Sequence, residues 1–300
     1  MEIFRRLLAL FPKACLMIGG ALGEKEELER LQHQAKRLGI AQRVGYYTNV
    51  NAELRKRLYA SADIFLSPVD NYQETFGLSI LEAMSCSLPV VCSDWGGYRD
   101  LVDHGQDGFL LPTRVLPLAH KDHYFSPHLG YLPLEYSQCI SIDESKMFEY
   151  LKTLLGSELL RKEMGENAVR KASAYTWDKI IGRYQELWER LARKQILREP
   201  ESSFRLSQAE LFASYPTVIL GKDVKYELSD PAVVEFKMPA PSPFLAESFP
   251  RDAFMQILGT LKSHGEADLG LMASQGALRR DELLLSLAYL LKHHIIKIHS

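Results

Sequence analysis

The chain has little of what announces several common protein classes. Its four cysteines, Cys15, Cys86, Cys92 and Cys139, include no C-x-x-C pair. That spacing argues against a disulfide framework or a zinc ribbon. Three of the four lie in or beside apolar runs, so reduced and buried thiols in a cytoplasmic protein are expected. No run approaches the ~18–20 apolar residues of a membrane span. Residues 7–11 are too short for a signal-peptide core and meet Pro12-Lys13 at once. Charge of one sign is scarce as well. Lysine and arginine number 36 against 38 acidic residues, a net charge of −2, which gives no reason to expect nucleic acid as a partner. The expected location is cytoplasmic, with peripheral attachment to the inner face of a membrane left open.

What is present is a hydrophobic share of 46% over 300 residues, enough for a sizeable core and about two domains. Apolar patterning predicts helices over 2–10, 24–38, 52–60 and 74–85. Between and after them it predicts strands over 15–19, 43–47, 64–67, 89–93 and 108–111. Strands and helices alternating at this spacing mean βαβ units, hence an α/β fold with a doubly wound parallel sheet. Such sheets bind ligands at the carboxyl ends of their strands.

The most informative stretch follows the third of these strands. Glu74-Thr75-Phe76-Gly77-Leu78 opens an amphipathic helix, and Glu82 lies eight positions beyond Glu74. Near the start of a helix the amides of Phe76, Gly77 and Leu78 lack intrahelical partners and carry the positive end of the dipole. Anions settle there, and a glycine lets a phosphate approach the backbone. Glu82 falls roughly 7–8 Å along the helix at ~1.5 Å per residue, within reach of ribose hydroxyls. Ile80, Leu81 and Met84 supply the face that packs on the sheet. The plainer alternative reads Glu74 as an N-terminal charge and Glu82 as a solvated side chain.

The surrounding residues resemble a known family. The segment "ETFGLSILEAM", then "SLPVVCSDWGGYRDLV" and "DHGQDGFLLPT", is similar to the donor-binding domain of the family 4 (group 1), GT-B-fold retaining glycosyltransferases. The resemblance runs from about residue 3 to residue 192. It implies a retaining transferase that takes sugar from a nucleoside diphosphate, with no metal or other cofactor. By this resemblance Glu74 contacts the transferred sugar, Glu82 holds the ribose, and the amides of Phe76, Gly77 and Leu78 meet the diphosphate, with Thr75 also among the donor-binding residues. Gly96 and Gly97 match the family's glycine turn and shape the pocket. Tyr46 and Tyr47 lie where the family places the base, with core or sheet-edge aromatics the alternative. Gly19 and Gly20 form either a phosphate- or base-proximal turn or a plain tight turn. Ser87 departs from the family's pattern, which has glycine there. No catalytic acid or base is assigned.

The resemblance also implies an acceptor-binding domain ahead of this segment and a strand carrying two cations for the diphosphate. Neither occurs in the chain, which suggests a truncated product, a fragment, or one half of a split enzyme working with a separate acceptor-binding domain. The acceptor would be a glycan, a lipid or a small molecule. An inactive nucleotide-sugar-binding module, or an interaction module, is the alternative.

The expected organisation is a nucleotide-sugar-binding Rossmann-like domain over 1–194, a linker with a strand pair (224–228 with 232–236) over 195–250, and a small helical module over 251–300. Helices at 252–261 and 281–292 with a strand at 295–298 make that module winged-helix-like. His120, Asp122, His123 and His128 read as a surface loop, not a metal site. Trp177 and Trp188 read as packing anchors of a helix ending at Arg193.

Overall fold

A computed structural model describes residues 1–21, 25–72, 74–116, 137–193, 214–230, 251–276 and 278–299. The first two thirds is mixed α/β with parallel sheets. Helix α1 (Glu2–Leu8) leads to strand β1 (Leu16–Gly20), helix α2 (Lys25–Arg37), strand β2 (Val44–Thr48) and helix α3 (Ala52–Ser61). Strand β3 (Phe65–Ser67), helix α4 (Leu78–Ser85), strand β4 (Val90–Ser93), helix α5 (Tyr98–Leu101) and strand β5 (Gly108–Leu111) continue the alternation. Its parallel strands fall into two sheets: β1 pairs with β2, and β4 is flanked by β3 and β5. No strand among the described residues lies between β1 and β3, so the two pieces are not continuous.

All four residues of β4 are buried, as its Val-Val-Cys run requires of a parallel strand covered on both faces. The two-residue period divides them. Val91 joins Ile3, Leu7, Leu111, Met147, Leu151 and Leu154 on one face. Val90 and Cys92 join Ile80, Met84, Tyr98, Leu101 and Ala168 on the other. The first face is covered by α1 and by α6 (Glu144–Gly156), whose start is capped by Asp143 accepting from the Lys146 amide at 2.9 Å. The second face is covered by α4, with α7 (Glu158–Ala172) packed beside it. Ser157 caps α7, accepting from the Leu160 amide.

Strand β6 (Thr113–Val115) pairs antiparallel with β7 (Ile140–Ile142) and parallel with β8 (Val218–Ile219). The last described part runs β9 (Tyr226–Leu228), α9 (Arg251–His264), β10 (Glu266–Ala267), α10 (Leu269–Ser274), α11 (Arg280–Lys292) and β11 (Ile296–Ile298). Here β9 is the centre of a three-stranded antiparallel sheet between β10 and β11. Helices α9 and α11 and strands β9 and β11 fall where the sequence placed them, and the short α10 and β10 are additional. Residues 232–236, expected to pair with 224–228, lie outside the described residues. So do His120, Asp122, His123 and His128, and most of the expected linker.

Leu116, Cys139 and Leu220 share one core with Tyr226, Phe254, Leu258, Leu287 and Leu290, so this part is fused to the β7–β6–β8 sheet through apolar packing. Two expectations need correction. Helix α8 (Trp177–Arg193) buries none of its side chains: Trp177 is 77% and Trp188 60% exposed, so neither anchors packing among the described residues. Cys15 is exposed and Cys86 half-buried, whereas Cys92 and Cys139 are buried as expected, and all four are free. Both exceptions have one cause. An apolar neighbourhood in sequence buries a side chain only when another element comes to cover it.

Candidate functional site

The site is built on the loop between β3 and α4. The helix begins at Leu78 with Gly77 as its N-cap, inside the 74–85 range and at the glycine where the free amides were expected. Gly77 has φ +102°, a conformation L side chains rarely adopt, and a Cβ there would stand 2.6 Å from Tyr98 Cε1. The start is therefore fixed by a left-handed turn that only glycine takes without strain.

The loop rests on the turn between β4 and α5. Trp95, fully buried, donates its Nε1–H to the Asn71 carbonyl at 3.1 Å. A Cβ on Gly97 would lie 2.2 Å from the Thr75 carbonyl oxygen, and one on Gly96 would lie 3.2 Å from the Glu74 carbonyl oxygen. Below them the Tyr98 hydroxyl meets Ser67 Oγ at 3.2 Å. Burial raises the pKa of the Tyr98 phenol, and the neighbouring Glu74 charge adds to the effect. Glu74, Thr75, Phe76, Gly77, Gly96 and Gly97 are thus brought into one small region. Within it the Glu74 carboxylate accepts from the Phe76 amide at 3.3 Å, closing a turn on itself. Phe76 and Leu78 remain exposed at the helix start.

Glu82 projects from α4 toward α3. The Arg55 guanidinium lies 3.1 Å from its Oε1, and Tyr59 donates its hydroxyl to Oε2 at 3.1 Å. Desolvation first, and then the Glu82 charge, raise the pKa of the Tyr59 phenol, so it is protonated and donates across the neutral range. Helix α3 is aligned for this by Asn51, whose side chain accepts from the Leu54 amide at 2.8 Å. The same helix reaches the other glycine pair: a Cβ on Gly19 would lie 3.9 Å from Leu58. Gly19 and Gly20 end β1 opposite Tyr47 and Thr48.

The two tyrosines are placed differently. Tyr46 donates to the Leu31 carbonyl of α2 at 3.2 Å, so its hydroxyl is committed to a helix backbone. The Tyr47 ring lies over Gly45, on its own strand. Neither is brought to the Glu74–Glu82 region by any of these contacts.

Ser87 has φ +60°, the left-handed conformation in which glycine is unstrained, and α7 crosses so close that a Cβ on Gly165 would lie 2.2 Å from the Ser87 carbonyl oxygen. The departure from glycine therefore keeps the turn and strains it.

Arg55, Tyr59, Trp95 and Tyr98 were not singled out from sequence. Arg55 and Tyr59 are four apart on one helix, a spacing that puts both on one face, but nothing local says what that face meets. Among the described residues no three His, Cys, Asp or Glu side chains gather as a metal site, and no helix is long and apolar enough to cross a membrane.

The segment that builds this geometry is similar to known proteins. Residues 1–119 match the family of glycosyl transferases, group 1. Individual relatives match this chain over part of their own length. A D-inositol 3-phosphate glycosyltransferase of Corynebacterium jeikeium is 31% identical over 179 residues, 59% of this chain and 36% of that protein. An uncharacterized glycosyltransferase of Methanocaldococcus jannaschii is 37% identical over 95 residues, 32% of this chain and 23% of that one. Among solved structures, a sucrose-phosphate synthase from Thermosynechococcus elongatus aligns at a TM-score of 0.47 and 21% identity, covering 64% of this chain and 42% of that one. The chain spans about a third of the length of the first of its curated relatives.

Proposed function

We propose that this chain supplies the sugar-donor half of a glycosyltransferase, binding a nucleoside-diphosphate sugar at the loop over 71–77 and the start of α4. The observation that carries the reading is the placement of Glu74 and Glu82 on either side of the Gly77 helix start, inside the group 1 segment. In this reading the diphosphate sits at the open end of α4, where amides and dipole favour an anion. Glu82 accepts from ribose hydroxyls. Arg55 and Tyr59 orient its carboxylate, and Arg55 also brings a cation toward the diphosphate. Glu74 accepts from hydroxyls of the transferred sugar, giving up the Phe76 amide as it does so.

The reaction proposed is transfer with retention of configuration to a glycan, lipid or small-molecule acceptor, using no metal or other cofactor. A separate acceptor-binding domain completes the site. A second reading, binding without turnover, is favoured by the break between the β1–β2 and β3–β4–β5 sheets, across which the sugar donor would lie.

Calorimetric titration with UDP, GDP, ADP and their glucose or mannose conjugates tests the proposal. Binding of one nucleotide by the folded chain, lost in Glu82→Ala, supports it. Binding of none overturns it. Donor hydrolysis or transfer measured with and without EDTA, and with the product anomer read by NMR, then separates turnover from binding and tests retention and metal independence.

A further inference from the structure

The loop that carries Glu74 is held from two sides by residues far beyond the group 1 segment. Lys292, at the end of α11, pairs with Asp70 through Nζ and donates also to the Ser137 carbonyl at 2.7 Å. This ion pair is largely shielded, the Lys292 side chain being 16% and Asp70 31% exposed. Tyr215 stacks on Tyr72 with ring centroids 6.1 Å apart, and meets Trp95 edge-on at 5.4 Å. The backbone around Tyr215 is itself pinned. Arg99 donates to the Ser214 and Tyr215 carbonyls at 2.6 and 3.0 Å, and Thr217 donates to Asp94 Oδ2 at 2.7 Å.

Lys292 and Tyr215 thus grip the loop at Asp70 and Tyr72, four and two residues before Glu74. Between those grips and the helix start, the loop also carries local hydrogen bonds, such as the Glu74 amide to the Asn71 carbonyl at 3.1 Å. Helix α11 cannot give way easily, since all nine residues from Leu283 to Leu291 are buried, eight of them in the core that includes Cys139 and Leu220. The C-terminal part is therefore a firm support that adds to the hold of Trp95 and the Gly96–Gly97 turn on the loop.

We propose that Lys292 and Tyr215 are positioning residues for the sugar-donor site. They fix the Asp70–Glu74 loop so that the Glu74 carboxylate is presented to the sugar. This rests on the donor reading above for its ligand, though not for its structural half. The expected consequence is selective. Loosening the loop weakens recognition of the sugar, which Glu74 meets, and spares the nucleoside diphosphate, which α4 and Glu82 hold. A displacement of ~1 Å at a positioned group can cost on the order of 100-fold, and a partial loosening about 10-fold.

Two measurements on the full chain test it. Hydrogen exchange without ligand, followed in peptides covering residues 68–78, is compared between the native chain, Lys292→Met and Tyr215→Leu. Faster exchange there, with the core of α9 and α11 unchanged, supports the clamp. Unchanged exchange in 68–78 overturns it. Asp70→Asn releases the same ion pair without touching α11 and must give the same result, and Lys292→Arg must preserve protection. Titration with UDP-glucose, GDP-mannose and ADP-glucose against the free diphosphates then reads the second half. A loss of about 10-fold for the conjugate with little change for the diphosphate supports positioning. Equal loss for both overturns the selective role. Should the native chain bind none of these, the donor reading fails, while exchange still decides the clamp.

Discussion

Glu82 shares its carboxylate between two side chains of α3: Arg55 lies 3.1 Å from Oε1 and Tyr59 donates to Oε2 at 3.1 Å. The pair spans two crossover helices on either side of β3. Both partners of the ion pair are substantially exposed, at 48% and 38%, so it contributes only ~0–1 kcal/mol to folding. Its value is orientation.

Glu82→Ala is therefore expected to leave thermal unfolding almost unchanged and to weaken nucleotide binding by ~1–3 kcal/mol through lost ribose hydrogen bonds. Arg55→Ala should weaken it less, with a steeper loss for diphosphates than for nucleosides. Calorimetric titration of both variants checks this, and unchanged affinity in Glu82→Ala removes its assigned role.

Gly97→Ala should lift the loop off its turn. The new Cβ would meet the Thr75 carbonyl oxygen at 2.2 Å, against backbone that cannot swing away as a side chain would. A destabilisation of about 2 kcal/mol is expected. Gly20→Ala is the matched control, because nothing lies within 4 Å of its Cβ position. Urea midpoints of the two variants should differ clearly.

Ser87→Gly should stabilise the chain. A left-handed serine costs roughly 1 kcal/mol, and the greater freedom of unfolded glycine offsets part of the gain. About 0.5 kcal/mol remains, readable as a small rise in the urea midpoint. A fall would mean the serine side chain contributes something its backbone strain conceals.

His293 should make the C-terminal part sensitive to acid. Desolvation, followed by the charges of Lys292 and His294, lowers its pKa to about 4 from an ordinary 6.5. Unfolded chains take up the proton near 6.5 and the folded one only near 4. The unfolded state therefore binds more protons between these values, and stability falls as pH drops through that window. Above 6.5 the contribution is fully present, and its complete loss corresponds to roughly 3 kcal/mol. Urea unfolding of the native chain and His293→Leu at pH 7.5, 5.5 and 4.5 should show the native slope flattened in the variant.

The central strand illustrates what was readable in advance. The run Val90-Val91-Cys92 declared a buried parallel strand because both its faces are apolar, and it is one. The coarse range 74–85 overshoots the start of α4, whereas the glycine marks it: the chain conformation at Gly77 depends on Tyr98 packed beneath it. Trp177 and Trp188 show the converse error. Their spacing on α8 is that of a core face, yet no described element covers them.

Local sequence was enough for the alternation of strands and helices, the buried strand at the centre, and the pair of carboxylates around a glycine. Each of these depends on neighbours within about two helical turns or one strand. Tertiary structure alone decided which groups share the Glu82 carboxylate, where Tyr46 turns, and what holds the Asp70 loop. Tyr59 is 23 positions from Glu82, Arg99 is 116 from Tyr215, and Lys292 is 222 from Asp70. Contacts across such separations leave no local period, because they arise only after separate elements have packed and brought their faces together.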